Sequence, residues 1–589
     1  MLWIVSLARL QLTAIGAYGL VSALPVTMYA GLALLTVSMV MAIHRGERSA
    51  VLAAHLVLFV LMVHATPALL YTTLRYAWAW KHLGLVDYLA RHHAVTHAGG
   101  DLSVYQNWPG FFTASTSWLV GSGVAPSSWP AMAQWAPPVF ELLFSFSVLA
   151  LLSAMEADRR LVWLSVWFFA IGNWVGQDYF SPQAYAYFLY LAVLVIVFRW
   201  LARRPPMPIF LRGFVRDWPD PEETDDTRET SPEHTRAGTI IVLICVTAIA
   251  TSHPLTPLVL FVALTALALT RVLRVRSLPL MAAVPTFLWL EVGARSYTNA
   301  EVPGLVTKVG SLDTNVSQTL AKASNAAASQ RLVSTFGRVE VAFLVLLALI
   351  GVVRRIRNGH WDLGAIVLGV IPGTILVGGS YGGEAIFRVY LFALPFLAYF
   401  AAAAFYPTKD LVRKRSSWLV AVSSLVIVTT FLFSYYGKEA WSYFAPGEVR
   451  AAKLIFDHAK PNSLLVEGTS DFPTHFANYT DFEYVDISNE PPNSFTRILA
   501  NPVGDLRNWL ADPQFSHAYL IITAAQKAQS DALGSLPVGS LDRIENALRK
   551  SPVFRVLYYD RDAVVFTLAS ASRTQVPTPS PTPKPNPKR

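Results

Sequence analysis

Residues 161–204 read LVWLSVWFFAIGNWVGQDYFSPQAYAYFLYLAVLVIVFRWLARR: two apolar runs, 161–176 and 183–200, separated by a short polar segment and followed by paired arginines. Each run approaches the roughly 20 residues that an α-helix needs to cross about 30 Å of hydrocarbon. In lipid only helices and closed barrels satisfy their own backbone, so the stretch predicts two membrane helices joined by a tight turn. The turn, Gly172–Gln183 (GNWVGQDYFSPQ), places a carboxylate, Asp178, among amides and a proline. Ionisable groups at membrane depth are functional candidates by default.

The same pattern continues through three quarters of the chain. Of 589 residues 53% are hydrophobic and 14% charged, with 33 Phe, 23 Tyr and 17 Trp, far from an ordinary soluble protein. Apolar runs lie at 2–22, 26–43, 49–68, 137–155, 161–176, 183–200, 238–252, 256–270, 278–296, 338–353, 361–380, 387–406 and 417–436. They predict about 13 transmembrane helices. Arg9 interrupts the first run; it is read as a membrane or interfacial helix, because no small-residue cleavage site follows a charged start as in a signal peptide.

Lys and Arg gather in alternate loops: Arg45 and Arg48; Arg159 and Arg160; Arg203 and Arg204; Arg271, Arg274 and Arg276; Arg354, Arg355 and Arg357; Arg413, Lys414 and Arg415. Such enrichment marks cytoplasmic loops, so 69–136, 177–182, 253–255, 297–337, 381–386 and everything after 436 face outward. The net charge of +9 is spread over these loops and forms no basic face, and no helix-turn-helix, zinc or RNA-binding signature appears, so nucleic acid is not an expected partner. The single cysteine, Cys245, falls inside an apolar run and excludes a disulfide framework or a cysteine metal site.

Domains follow from shifts in composition. Residues 1–204 form a first transmembrane group with outer loop 69–136, and 205–237, Pro-rich and highly charged, a flexible cytoplasmic linker. Residues 238–436 form a second group with outer loop 297–337, whose length and small residues suit a lid. From 437 to 570 the runs SLLVEG, EYVDIS, AYLIITAA, FRVLYYD and AVVFTLA read as strands, and PGEVRAAKLIFDHA and LDRIENALRKS have helical spacing. The expected fold is an all-α polytopic membrane protein with a small C-terminal extracytoplasmic α/β domain and a Pro-rich disordered tail, 571–589.

Four motif-like stretches fall on the outward side: KHLGLVDYL...GGDLSVYQNWPGFF (81–112), GNWVGQDYFSPQ (172–183), TSHPLTP (251–257) and GGSYGGEAIFR (378–388). Taken singly, their glycines and prolines are ordinary caps and turns and their Trp and Tyr residues an interfacial belt. An outward cavity built from them and the adjoining loop would offer carboxylates (Asp87, Asp101, Asp178, Glu384), cations (Arg75, Lys81, Arg388), imidazoles (His82, His253), amides (Asn107, Asn173, Gln177) and aromatic faces (Tyr105, Trp108, Trp174, Tyr179, Tyr381). That set suits an anionic, partly apolar substrate such as a lipid-linked phosphate sugar. A carboxylate deprotonates an acceptor hydroxyl, cations stabilise a departing phosphate, and aromatic faces stack on sugar rings. The run 107–124 is read as a juxtamembrane or re-entrant helix with Pro109 in its first turn, since a crossing there would put the basic loop at 156–160 outside.

A helix at 49–68, a long outer loop with such a helix, the acidic GQDYFSP loop two helices later, a long later outer loop and a terminal domain resemble the GT-C class of multi-pass glycosyltransferases. The sequence also resembles bacterial multi-pass proteins with NWPGFF and NWVGQDYFSPQ segments. The resemblance implies a bacterial plasma-membrane enzyme that moves a sugar from a polyprenyl-phosphate donor in the bilayer to a cell-envelope glycan or protein acceptor. That class carries an acid just after the helix that leads into the first outer loop, whereas residues 76–82 here read YAWAWKH. By analogy Asp87, the nearest carboxylate, is the base, Asp101 the next candidate, and Asp178 the second acid that holds the acceptor or an ion. Some members need a divalent cation, Mg or Mn. A lipid-linked saccharide flippase would carry broken, polar helices at the midplane and an inverted repeat, neither of which is visible; a noncatalytic envelope scaffold would need fewer helices.

Overall fold

A computed structural model describes residues 1–96, 102–216, 230–306, 325–378, 384–408, 416–458 and 460–569. Asp101, Tyr381 and the tail 571–589 lie outside the described residues, as do 217–229 of the linker and 307–324 of the stretch read as a lid. The chain divides into two compact units, Met1–Leu74 with Leu85–Ala440, and Arg75–Gly84 with the residues from Trp441 onward.

Among the described residues, eight helices of the first unit are long and apolar enough to cross a membrane. In chain order its principal helices are α1 (Leu2–Arg9), α2 (Val26–Arg45), α3 (Ser49–Leu70), α4 (Ala77–His92), whose first turns belong to the second unit, α5 (Gly110–Gly121), α6 (Ala136–Met155), α7 (Arg159–Gly172), α8 (Pro182–Leu201), α9 (Pro232–Ser252), α10 (Thr256–Leu269), α11 (Leu278–Val292), α12 (Ala328–Arg357), α13 (Leu363–Val377), α14 (Ala385–Ala403) and α15 (Ser416–Tyr436). Large apolar side chains stand exposed along these helices, among them Leu34, Ile244, Leu280, Leu349 and Trp418. Unpartnered apolar faces of that extent belong in lipid, and the protein is a multi-pass membrane protein.

Two departures from the sequence reading have local causes. The run 2–22 is not one helix: α1 stops at Arg9, Leu10 and Gln11 are extended, and short 3₁₀ turns follow. Gly19 sits at φ +60° with its α-carbon against the backbone of Tyr436, where a β-carbon would fall 2.0 Å from the carbonyl oxygen; only glycine fits there. The count of 13 therefore differs from the eight helices of full spanning length, to which α10, α11 and α13 add shorter apolar ones. α7 is fourteen residues long, and every residue from Leu161 to Gly172 is buried. α9 starts at Pro232, inside the stretch read as linker, because Ser231 caps it by accepting from the His234 N–H and proline occupies the first turn.

The ends of these helices that carry the basic loops are tied by one buried network. Arg355 grips Asp362 through Nε (2.7 Å) and NH2 (2.9 Å), Glu156 through NH2 (2.7 Å) and the Pro407 carbonyl through NH1 (3.0 Å). This joins α6, α12, α13 and the chain beyond α14.

The second unit is a five-stranded sheet with order β2-β1-β3-β5-β4: β1 (Ser463–Glu467), β2 (Phe482–Asp486), β3 (His517–Thr523), β4 (Phe554–Tyr559) and β5 (Ala563–Leu568). β1 pairs in parallel with β2 and β3, and β5 runs antiparallel to β3 and β4. Leu464, Val466, Leu520 and Ile522 enter one core, while Leu465, Tyr519 and Ile521 enter the other. Both faces are thus covered, which is why β1 and β3 read as continuous apolar runs. Arg75–Gly84 packs here, with Gly84 so close to the His475 carbonyl that a β-carbon would lie at 1.7 Å.

Candidate active site

Pro67 lacks the N–H that would bond the Val63 carbonyl in α3, and the Tyr436 hydroxyl supplies a donor instead at 2.5 Å. Just before it, residues Leu61–Ala65 form a widened π turn, a feature common at functional sites. His64 lies in that turn and is buried.

Its Nδ1 lies 2.8 Å from Asp178 Oδ2 and 3.0 Å from the Tyr435 hydroxyl, which itself donates to Asp178 Oδ2 at 2.9 Å. A proton on Nδ1 satisfies this triangle. Beside it, Glu141 of α6 accepts at Oε2 from Asn173 Nδ2 at 2.7 Å. His64, Glu141 and Asp178 each present a ligand atom within 4.8 Å of the others. All three are almost inaccessible to solvent, at 1%, 0% and 2% exposure.

Several polar atoms here are buried without a hydrogen-bond partner: His64 Nε2, Glu141 Oε1, Asn173 Oδ1 and Gln177 Oε1. Orphaned buried polar groups cost about 1–3 kcal/mol each, so their convergence marks a place built for something else to bind. His64 lies in the π turn near the end of α3, Glu141 in the second turn of α6, Asn173 caps α7, Asp178 precedes α8 and Tyr435 stands at the end of α15, so the site lies near the ends of five helices.

The other sequence candidates fall in different places. Asp87, on α4, is ion-paired with Arg91 one turn on and is not part of the cluster; burial raises its carboxyl, and Arg91 and His92 counter that rise. Arg75, Lys81 and His82 are buried in the second unit, where Arg75 stacks on Tyr76 and Lys81 over Trp78. Asn107 is spent on structure, donating to the Ser103 carbonyl and accepting from Ser296 and Trp289. Tyr105 packs edge-on to Phe112, and Trp108 edge-on to Tyr297. His253 Nδ1 caps α10 through the N–H groups of Leu255 and Thr256.

Around the cluster, Tyr179 is half-buried in the same hairpin as Asp178. Trp174 packs on Phe387 and Tyr390, with the Lys438 ammonium 6.0 Å from its ring. Glu384 and Arg388 pair at 2.8 Å on the first turn of α14. The sequence reading passed over His64, Glu141, Tyr435, Lys438 and Glu340, the last a buried acid within α12. The signal was present, since His64, Glu141 and Glu340 are ionisable residues inside apolar runs.

Of the known proteins, no family model and no curated protein matches this chain. Solved structures do. The chain is similar to the Archaeoglobus fulgidus oligosaccharyltransferase tethered to an acceptor peptide containing the NVT sequon, with 10% identity and a TM-score of 0.48 over 87% of this chain and 74% of that one. The apo form of that protein gives a TM-score of 0.46 at the same identity and coverage. ArnT from Cupriavidus metallidurans bound to undecaprenyl phosphate is 13% identical, with a TM-score of 0.44 over 86% of this chain and 96% of that one.

Proposed function

We propose that this chain is a membrane glycosyltransferase that moves a sugar from a polyprenyl-phosphate donor to an extracytoplasmic cell-envelope glycan or protein. The reading is supported chiefly by the buried His64–Glu141–Asp178 cluster, whose unpartnered Glu141 Oε1 and His64 Nε2 lie near the loop ends of membrane helices, where a lipid-borne substrate meets a water-borne one.

The chemistry needs few parts. The acceptor oxygen attacks the anomeric carbon, the bond from that carbon to the phosphate oxygen breaks, and the polyprenyl phosphate departs with the electron pair. Glu141, with Oε1 unpartnered, takes the acceptor proton. Asp178, fixed by His64 and Tyr435, keeps its charge oriented toward the anomeric centre as positive character develops. Arg388 and Lys438 balance the leaving phosphate, and Trp174 and Tyr179 present faces for the sugar.

The same donors suit a divalent cation. Glu141, Asp178 and His64 would hold it, and bound there it would supply Lewis-acid stabilisation of the departing phosphate. Two carboxylates with one imidazole favour manganese over magnesium, which prefers an all-oxygen shell.

A transfer assay on the protein in proteoliposomes, offered a panel of polyprenyl-phosphate sugars and envelope acceptors, tests the reading. Sugar on the acceptor is the expected result. Movement of intact donor between leaflets without transfer would favour the flippase, and neither result in folded protein would favour the scaffold.

A further inference from the structure

At the opposite ends of the helices a second polar feature lies apart from the reaction centre. A cavity of about 210 Å³ opens between the turn joining α2 to α3 and the start of α7, lined by Ile43, Gly46, Leu52, Asp158, Arg159 and Arg160. Ile43 and Leu52 are buried and give it an apolar floor. Arg159, exposed at the rim, donates to the Gly46 carbonyl at 3.1 Å. Arg160 is half-buried, and its Nε is enclosed with no hydrogen-bond partner.

Guanidinium N–H groups rarely stay unpaired when buried. Two carboxylates lie nearby: Asp158 lines the cavity and turns Oδ1 onto the Arg160 backbone N–H at 3.0 Å, while Glu47 stands exposed in the turn. Against them stand four cations, Arg45, Arg48, Arg159 and Arg160, the first two exposed on either side of Gly46. An apolar floor under a rim of arginines is the chemistry of a phosphate carried on a lipid.

The geometry points to a phosphate-binding site formed by Arg159 and Arg160 between the α2–α3 turn and α7, whose ligand is the headgroup phosphate of an anionic phospholipid. Arg160 Nε and the Arg159 fork donate to the phosphate oxygens, and the acyl chains lie along the apolar faces of α2 and α3. Bound there, the lipid clamps α2 and α3 to α7, the helix at the centre of the first unit. Free phosphate offers the same oxygens, so the test separates the two sources.

The full chain is placed in nanodiscs of phosphatidylcholine alone or phosphatidylcholine with phosphatidylglycerol, and its thermal midpoint is followed with and without inorganic phosphate. We expect phosphatidylglycerol to raise the midpoint of the wild type, with Arg160→Gln needing about tenfold more of the anionic lipid for the same rise, the loss of roughly one charged hydrogen bond. Arg159→Gln, at an exposed position that tolerates change, should weaken the response in the same direction and serves if Arg160→Gln does not fold. A rise with inorganic phosphate in neutral discs, lost in either variant, would assign the site to a soluble phosphate compound. Equal responses of wild type and variants to both additions, or no response in any protein, would overturn the proposal.

Discussion

His64 and Asp178 stand 114 positions apart in the chain and meet at 2.8 Å, Nδ1 to Oδ2, with the Tyr435 hydroxyl bonded to both. A carboxylate held from two sides keeps one orientation. His64→Phe retains a ring of similar size and removes Nδ1, so Asp178 loses its bond to the imidazole while the one from Tyr435 remains. Turnover should fall by about 10- to 100-fold, the usual cost of losing a group that orients a ligating or reacting side chain, with KM for the donor little changed. Steady-state kinetics on folded protein check this. An unchanged kcat would show that the orientation of Asp178 does not matter.

The sequence made some of this arrangement legible and hid the rest. Long apolar runs carry their own signal, because the thickness of the bilayer fixes helix length, and α2, α3, α6 and α8 lie where such runs are. The hairpin around Asp178 stood out because a charge between two apolar runs is costly. His64 and Glu141 were harder to see, since each looks like a blemish in an apolar helix until the fold brings the two together. Lys81 and His82 misled for the opposite reason: they sit in a polar-looking stretch, yet their side chains are buried in the second unit. The run 2–22 is broken by extended backbone at Leu10 and Gln11 and again by Gly19, whose φ of +60° no helix provides.

At the basic end, Glu156 is half-buried and gripped by Arg355. Burial alone would raise its carboxyl, but the guanidinium and the Ala157 and Asp158 N–H groups bring it down to about 2. A carboxylate lowered in the folded state adds stability above its unfolded value near 4.5, and that stability is lost as pH falls toward 2. Arg355→Met should lower stability by about 1–3 kcal/mol, because it leaves two half-buried carboxylates without their cation. It should also flatten the acid limb between pH 4.5 and 2. Thermal midpoints across that range, wild type against variant, measure both effects.

Gly351 of α12 lies against the Phe400 carbonyl of α14, where a β-carbon would fall at 1.7 Å, whereas the same atom on Gly373 would meet nothing within 4 Å. Small residues let membrane helices approach this closely. Gly351→Ala should therefore destabilise by about 1–3 kcal/mol, as overpacking does, while Gly373→Ala should be near neutral. The difference in thermal midpoint between the two variants is the readout, and equal midpoints would contradict the close approach of α12 and α14.

In the second unit, burial pushes the Glu448 carboxyl up to about 7, although the Ala445 and Ala525 N–H groups that donate to it pull the other way. The sign is opposite to that of Glu156: the folded state binds the proton more tightly than the unfolded chain does. This contribution is whole below about 4.5 and lost as pH rises through 7. Glu448→Gln, which keeps the acceptor oxygen and removes the titration, should make unfolding of this unit less pH-dependent between 4.5 and 7. Hydrogen exchange of β3 and of the helix that follows it, Ala524–Leu533, reports that unit within the whole protein.

If the buried cluster is the reaction centre, Glu141→Gln and Asp87→Asn must differ sharply in sugar transfer. Glu141→Gln keeps an acceptor for Asn173 and removes only the basic oxygen, while Asp87→Asn removes the acid that analogy alone points to. With a radiolabelled polyprenyl-phosphate sugar accepted by the wild type, Glu141→Gln should reduce sugar transfer by about 10²- to 10⁴-fold at unchanged folding, and Asp87→Asn should retain most of it. Transfer at near wild-type rate by Glu141→Gln, with loss in Asp87→Asn, would rule out the buried cluster and move the reaction centre to α4.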